Sequence, residues 1–247
     1  MTNEATLEKM MAMRLHGMTR AFRQTLETGF RENFTLDELV AHLVDSEYEE
    51  RYNRRLARLL KAAQFRYQAT VEQMDFSASR KLDKNLVLRL SQCSWLKKKE
   101  NIIITGPTGV GKSFLACALG HQACFYGFKV RYFGARKLFA FLKMNKVDGT
   151  YAKELAKIQK QDLLIIDDFG LEHLDKQDSL NLFEIIEDRH GLQSTLVTAQ
   201  LPIDYWHDII GDKTIADAIC DRLIHSSHRI EIDGPSMRKK PKKVDES

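Results

Sequence analysis

Apolar residues recur at helical spacing through the first part of the chain. They stand three or four positions apart, at Leu7, Met11, Leu15, Met18, Phe22 and Leu26. This spacing places them on one face and predicts a single amphipathic helix. Thr35 and Glu38 have the spacing of a capping box, which predicts that a second helix begins there and runs to about Tyr67.

After residue 100 the pattern changes to short apolar runs separated by helical segments. The runs predict five strands, at Asn101–Thr105, Lys129–Phe133, Asp162–Ile166, Ser194–Thr198 and His228–Ile232. Helices are predicted after Gly111, from near Ala135, at about Gln177–Arg189 and at Ile215–Ile224. This alternation is typical of an α/β fold in which helices cover both faces of a mostly parallel sheet.

These patterns predict four parts along the chain. Residues 1–70 form a small all-helical domain, 71–100 a connector with few periodic features, and 101–233 the α/β core. Residues 234–247 form a tail that contains the basic cluster Arg238–Lys243. We expect this basic cluster to be mobile, as the ends of chains commonly are.

Composition narrows the class of protein. The chain has 247 residues, of which 43% are hydrophobic, and this excludes disorder for most of its length. The net charge of +4 is compatible with nucleic-acid binding but does not require it. The four cysteines form no C-x-x-C pair, which favours a reducing, cytoplasmic location. No apolar run approaches the roughly 20 residues of a membrane-spanning helix.

The segment after the first predicted strand carries a phosphate-binding motif. Residues 106–113 match G-x-x-x-x-G-K-[ST] at every fixed position, between a strand and a helix. Backbone N–H groups of such a loop bind phosphate oxygens, and the helix N-terminus adds its positive dipole end. Lys112 is expected to reach the β- and γ-phosphates of ATP. The predicted nucleotide-binding residues are Gly106, Pro107, Thr108, Gly109, Val110, Gly111, Lys112, Ser113 and Phe114.

Two consecutive acids end the third predicted strand. Asp167 is expected to hold Mg²⁺ together with the Ser113 hydroxyl. Asp168 is then placed to orient or deprotonate an attacking water. Gln200, at the end of the fourth predicted strand, can sense the γ-phosphate or orient that water. These residues predict an ATPase that carries its own catalytic carboxylate.

Two short matches imitate the motifs of another class of nucleotide-binding proteins, the GTPases. Asp167–Gly170 reads as D-x-x-G and Asn145–Asp148 as N-K-x-D, the pair found in GTPases. Their order along the chain is reversed, and the residues before Asn145 look like the end of a helix. We therefore interpret both matches as coincidence.

With these motifs, the chain resembles the IstB/DnaC branch of the AAA+ ATPases, and within it the IstB-type helper ATPases encoded by bacterial insertion sequences. The resemblance covers nearly the whole chain. It rests on Glu47–Lys61, Val71–Phe76, Gly106–Ser113, Leu163–Gly170 and Ala218–Ile232. It implies a P-loop core, no C-terminal helical lid, and a bacterial cytoplasmic protein.

The resemblance also implies roles for single residues. Gln200 matches the first sensor position, where Asn is more usual, and Asp168 takes the place of the catalytic acid. Arg222 matches the arginine finger that completes the site of a neighbouring subunit, which implies a homo-oligomer. Arg189 is the second candidate for this finger. Either arginine can instead belong to a surface ion pair.

The second predicted helix carries a basic stripe. Its cations, expected to contact DNA phosphates, are Arg51, Arg54, Arg55, Arg58 and Lys61. The residues favour another interpretation equally well, because Glu47 and Glu50 stand four positions before Arg51 and Arg54 and can form ordinary helix-stabilising pairs.

The predicted function is an ATP-dependent helper that binds duplex DNA without sequence preference and assembles on it. The resemblance implies that a transposase is the partner and that ATP hydrolysis controls the assembly. One alternative is a DnaC-like loader of a replicative helicase, which would bind single-stranded DNA. Another is an adaptor that binds ATP without hydrolysing it.

Overall fold

The computed structural model describes residues 2–28, 35–77 and 81–237, so the basic cluster Arg238–Lys243 lies outside the described residues. Contacts divide the chain into two compact units, Met1–Arg58 and Leu59–Ser247. The division falls inside a helix and precedes the predicted domain boundary at residue 70. The two units are described separately below.

The first unit is helical, as predicted, but its first helix is interrupted. Instead of one helix there are α1 (Asn3–Ala12) and α2 (His16–Thr28). Arg14 has a φ of 60°, and the amide of Leu15 bonds to the carbonyl of Met10, as in a Schellman C-cap. This position is usually glycine, so the sequence contains no signal for the break.

A capping box opens α3 (Leu36–Ala63), as the sequence predicts. The amide of Thr35 bonds to Glu38 Oε2 at 2.7 Å, and the amide of Glu38 bonds to Thr35 Oγ1 at 3.3 Å. The helix ends at Ala63, somewhat before the predicted Tyr67, because Gln64 takes a left-handed φ of 57°.

Glu47 of α3 caps the start of α2 within the first unit. Its Oε2 accepts hydrogen bonds from the amides of Gly17 at 2.8 Å and Met18 at 3.2 Å. A Cβ at Gly17 would lie 2.2 Å from the Ser46 carbonyl oxygen, so only glycine permits this close contact of the two helices. The buried carboxylate thus satisfies amides that a helix start leaves without partners.

The second unit contains a five-stranded parallel sheet, and all five strands were predicted. They are β1 (Asn101–Thr105), β2 (Val130–Gly134), β3 (Leu163–Phe169), β4 (Ser194–Ala199) and β5 (Ser227–Glu231). The strand order is β2-β3-β4-β1-β5. Each neighbouring pair is parallel, which confirms the predicted α/β class.

The predicted helices of this unit are present, and others were missed. The predicted ones are α6 (Lys112–Phe125), α7 (Ala135–Val147), α9 (Lys176–Arg189) and α11 (Lys213–Ile224). The missed ones are α4 (Lys84–Ser91), α5 (Ser94–Lys97), α8 (Tyr151–Gln159) and α10 (Trp206–Ile210). Two of these lie in the segment interpreted as a connector. They are short, so too few turns were available for a periodic signal.

Helices cover the sheet on both faces. Ile103, Ile166 and Val197 of the strands belong to a core cluster that also contains residues of α7, α9 and α11. On the face covered by α6, the helix residues Leu115 and Leu119 are buried. Within the described ranges, no helix is both long and apolar enough to cross a membrane. Asn145 lies near the end of α7, which agrees with its interpretation as a helix residue.

Candidate active site

The phosphate-binding loop connects β1 to α6 at the carboxyl edge of the sheet. Gly106, Gly109 and Gly111 all have positive φ angles, of 143°, 87° and 98°. A Cβ at Gly106 would lie 2.0 Å from the carbonyl oxygen of Ile232, so the chain after β5 leaves room only for glycine. The glycines of the motif therefore permit a backbone path that other residues would block.

Lys112 is the first residue of α6, and its side chain is buried. The amino group donates to the carbonyls of Gly106 at 2.7 Å and Pro107 at 2.9 Å. The cation thus lies over the loop, where it can exchange these carbonyls for phosphate oxygens. Ser113 and Phe114 follow on the first turn of the helix.

The two acids lie in an irregularity of β3. Ile166 is in register with Val197 and Phe169 with Ala199, so β3 has one extra residue between these pairs. Asp168 has a φ of 58°, unusual for a residue with a side chain. The extra residue lets neighbouring carboxylates both face the carboxyl edge, which a regular strand would not allow.

Asp167 is fully buried and bonded to two hydroxyl groups. Tyr132 of β2 donates to Oδ2 and Thr198 of β4 donates to Oδ1, each at 2.5 Å. The Thr198 hydroxyl also accepts a hydrogen bond from the amide of Asp168 at 2.9 Å. Burial, together with the neighbouring carboxylate, raises the pKa of Tyr132 well above its ordinary value. The two acids are thus held by the strands on either side.

Sequence reasoning missed Tyr132 and Thr198. Both lie inside strands that were correctly predicted, but the register that brings them to Asp167 depends on strand order. Gln200, which was predicted, directly follows β4, the strand between β1 and β3. It therefore follows the strand that separates the phosphate-binding loop from the acids.

A third missed residue is Arg66, which lies just beyond the end of α3. Its guanidinium is 3.0 Å from Asp168 Oδ2 and 3.6 Å from Asp167 Oδ2. It stands about a hundred residues from the acids in sequence and belongs to no motif. No sequence signal identifies it.

Arg222 lies at the other end of the sheet. The Asn101 side chain, at the start of β1, donates to the carbonyl of Arg222 at 3.3 Å. The phosphate-binding loop follows the opposite end of β1, so Arg222 does not reach the loop of its own chain. Its guanidinium pairs with Glu187 of α9 and lies over the ring of Phe183.

Arg189, the second predicted finger candidate, is buried in the structure. The side chain is only 1% exposed. Its guanidinium donates to the carbonyls of Ile158 at 2.9 Å and Gln161 at 2.9 Å, and also to that of Ser194. It joins α8 to the start of β4, so it is occupied by the fold and is not presented to a neighbouring subunit.

The basic stripe on α3 is exposed, and Arg51 and Arg54 in it are paired with acids. Arg51 Nε is 2.6 Å from Glu47 and Arg54 is 2.9 Å from Glu50, as the helix-pair interpretation predicts. The other cations, Arg55, Arg58 and Lys61, are also exposed.

The donor set fits ATP and Mg²⁺. Gly106, Gly109 and Gly111 have positive φ angles, a conformation in which successive N–H groups of a loop can converge on an anion at a helix start. Ser113 supplies a hydroxyl and Asp167 a carboxylate, the hard oxygen ligands that Mg²⁺ prefers. The lysine, hydroxyl and acids thus occupy one edge of the sheet.

Comparison with known proteins gives one consistent family. The profile of the family described as "IstB-like ATP binding protein" matches residues 8–245. The insertion sequence ATP-binding protein y4pL of Sinorhizobium fredii is 44% identical over 234 residues, which are 95% of this chain and 96% of that protein. The insertion sequence IS1162 ATP-binding protein of Pseudomonas fluorescens is 38% identical over 203 residues, 82% of this chain and 88% of that protein.

Solved structures show the same fold at low sequence identity. The DnaC helicase loader matches with a TM-score of 0.55 and 20% identity, over 68% of this chain and 98% of that chain. AMPPCP-bound DnaA from Aquifex aeolicus matches with a TM-score of 0.58 and 19% identity, over 69% of this chain and 51% of that chain. Both likenesses concern the fold and agree with the parallel α/β sheet described above.

Proposed function

This chain belongs to the family of IstB-like ATP-binding proteins, and we propose that it is an ATP-hydrolysing helper of DNA transposition that assembles on duplex DNA. One observation carries the proposal: a complete phosphate-binding loop and a paired acid site share one edge of the sheet. The relatives named as insertion sequence ATP-binding proteins support the link to transposition.

ATP binds at the start of α6. The backbone amides of residues 106–111 hold the phosphates, and Lys112 moves from the carbonyls of Gly106 and Pro107 to the β- and γ-phosphates. This exchange requires no movement of the loop itself, because the amino group already lies above it.

Ser113 and Asp167 would hold Mg²⁺, which when bound would neutralise charge on the phosphate oxygens. The hydroxyls of Tyr132 and Thr198 keep the Asp167 carboxylate in one orientation. Asp168 accepts a proton from the water that attacks the γ-phosphorus, and ADP leaves with the β–γ bridging oxygen. Gln200 orients the same water.

Hydrolysis requires a second subunit. Arg222 lies at the edge of the sheet opposite its own phosphate-binding loop, so it serves as an arginine finger only for a neighbour. To do so, it exchanges its pair with Glu187 for the γ-phosphate of the neighbour. This exchange links ATP hydrolysis to assembly.

Duplex DNA binds to the basic stripe of α3. Arg51 and Arg54 are held by acids, so their charge is partly neutralised. We therefore assign most of the phosphate contact to Arg58 and Lys61. A transposase is the protein partner, and the protein acts in the bacterial cytoplasm, where its four buried free cysteines remain reduced.

Binding to labelled duplex and single-stranded DNA of equal length, with and without ATP and across a salt series, tests the proposal. Assembly on the duplex only with ATP, and weakening steeply with salt, is expected. An Arg58→Glu/Lys61→Glu variant should lose this binding. The control Lys153→Glu/Lys176→Glu makes the same change in net charge at exposed lysines of α8 and α9 and should retain it.

Other results favour the alternatives. A preference for single-stranded DNA favours the helicase loader, whose fold is shared. A Lys112→Ala variant that loses hydrolysis but keeps all DNA assembly favours the adaptor. Equal loss in the stripe variant and its control removes the assignment of DNA binding to α3.

A further inference from the structure

An arginine outside every motif contacts the catalytic acid. Arg66 donates from a terminal guanidinium nitrogen to Asp168 Oδ2 at 3.0 Å. The same nitrogen is 3.6 Å from Asp167 Oδ2. The Arg66 side chain is 43% exposed, so it borders solvent and is not part of the packed core.

The backbone on either side of Arg66 is anchored to α6. The ring of Phe65 lies against Gly120, where an added Cβ would be 2.6 Å from the ring carbon Cε1. The ring centroid of Tyr67 lies 6.4 Å from that of Phe114, which is on the first turn of α6 after the phosphate-binding loop. Arg66 is therefore positioned relative to the helix that would hold the phosphates, although it comes from a distant part of the sequence.

The preceding end of α3 is anchored as well. Arg131 of β2 donates to the carbonyl of Ala62 at 2.9 Å, which fixes the last turn of the helix. The reversal at Gln64 then directs the chain toward α6. Three contacts thus fix the position of the backbone from which the Arg66 side chain extends toward the acids.

The backbone of Asp168 is fixed, whereas its side chain borders solvent. Its amide is bonded to Thr198, but the carboxylate is 31% exposed and faces a cleft of about 910 Å³. A carboxylate in such a position has several rotamers available, and only some can direct an oxygen toward a water on the γ-phosphate. Arg66 engages Oδ2, and we assign Oδ1 to the water.

We propose that Arg66 is a positioning residue for ATP hydrolysis, which holds the Asp168 carboxylate in the orientation that activates the attacking water. This inference rests on the proposed role of Asp168. Arg66 affects the rate of hydrolysis and not the binding of nucleotide, because its guanidinium contacts Asp168 and not the phosphate-binding loop.

The test compares Arg66→Gln with Arg66→Lys and Arg136→Gln in the full chain. Arg136 lines the same cleft and is 86% exposed, so its variant removes an equal charge near the acids without touching them. Steady-state ATPase assays give kcat and KM. Titration with a fluorescent methylanthraniloyl ATP analogue gives the dissociation constant of the nucleotide independently of turnover.

Arg66→Gln should lower kcat about 10- to 100-fold while the nucleotide dissociation constant changes less than about twofold. Arg66→Lys should retain more of the rate than Arg66→Gln, because it keeps the charge. Arg136→Gln should have the kcat of the unmodified protein. Thermal melting should show that all three variants are folded.

Several results overturn the inference. They are an unchanged or increased kcat in Arg66→Gln, a loss confined to nucleotide binding, no advantage of lysine over glutamine, and an equal loss in Arg136→Gln. Asp168→Asn separates this failure from failure of the proposed function. If Asp168→Asn keeps full activity, the role of Asp168 itself is wrong; if it abolishes turnover while Arg66→Gln does not change it, only the role of Arg66 is wrong.

Discussion

At the carboxyl edge of the sheet Asp167 and Asp168 bond to other side chains, whereas at the amino edge Arg189 and Asn101 bond mainly to backbone groups. Asp167 is held by Tyr132 and Thr198, and Asp168 by Arg66. At the amino edge, Arg189 donates to carbonyls of three segments, and the Asn101 side chain accepts from the amide of Thr195 at 2.8 Å.

This difference shows which polar groups are available for chemistry. A bond between side chains can be exchanged for a bond to substrate without leaving the backbone unsatisfied. Arg189 cannot be withdrawn from the interior carbonyls that it satisfies without a cost of about 1–3 kcal/mol for each group left behind. Exposure and the type of bonding partner therefore distinguish Arg66 from Arg189, although both are arginines close to the sheet.

The largest expected effect on ATP hydrolysis is that of replacing Arg222. This residue lies at the amino edge of the sheet, but we propose a catalytic role for it. Arg222→Ala should lower kcat about 1,000- to 100,000-fold if it is the finger of a neighbouring site. Mixing it with Lys112→Ala should restore part of the activity, since mixed assemblies contain sites with both residues intact. ATPase assays of each variant and the mixture measure this.

Arg229→Ala, an exposed arginine on β5, is the control and should remain active alone. If the mixture is as inactive as its components, Arg222 does not act in trans and its pair with Glu187 is structural.

Arg189→Met should lower the free energy of unfolding by about 3–5 kcal/mol, because it leaves several buried carbonyls without donors. Chemical denaturation of the full chain measures the change. A variant that is as stable as the unmodified protein but has lost ATP hydrolysis would contradict the structural role of Arg189. It would favour the role of arginine finger.

Thr198→Val should lower the free energy of unfolding by about 1–3 kcal/mol, because it removes a hydroxyl that bonds both to Asp167 and to the amide of Asp168. We also expect kcat to fall about 10-fold or more as the acids lose their orientation. Denaturation and ATPase assays measure the two effects. Thr198→Ser keeps the hydroxyl and should behave like the unmodified protein; equal losses in both variants would point to packing of the methyl group.

Glu47, in the helical unit, is another buried side chain that bonds to the backbone, since it accepts hydrogen bonds from the amides of Gly17 and Met18. Burial by itself would raise its pKa, but hydrogen bonds from Arg51 and from the amides of Met18 and Gly17 outweigh this and lower the pKa. A carboxylate with a lowered pKa in the folded state stabilises the protein above its ordinary pKa. This contribution is lost as the pH falls through the lowered value.

Glu47→Gln should therefore lower the free energy of unfolding by about 1 kcal/mol near neutral pH and by less in acid. Denaturation curves at several pH values measure the difference. Glu49→Gln, an exposed neighbour, should show little change at any pH; an equal effect in both variants would mean that the net charge of α3 matters and the cap does not.

Local regularity explains what could be predicted. The strands were found because buried parallel strands are short continuous apolar runs, and the phosphate-binding loop because its residues are contiguous. Arg14 interrupts the first helix without glycine, so periodicity continued across the break. The short helices α4, α5, α8 and α10 lacked enough turns to show a period.

Residues that lie close together in the chain were enough to predict the α/β class, the phosphate-binding loop and the acid pair, and motifs spread along the chain indicated the family. The contacts of distant side chains with the acids depend on the tertiary structure. Tyr132, Thr198 and Arg66 reach them through strand order, one extra residue in β3 and the anchoring of residues 65–67 on α6. Burial likewise distinguishes Arg189 from Arg222, since a residue type in a motif does not reveal whether its donors are already used by the fold.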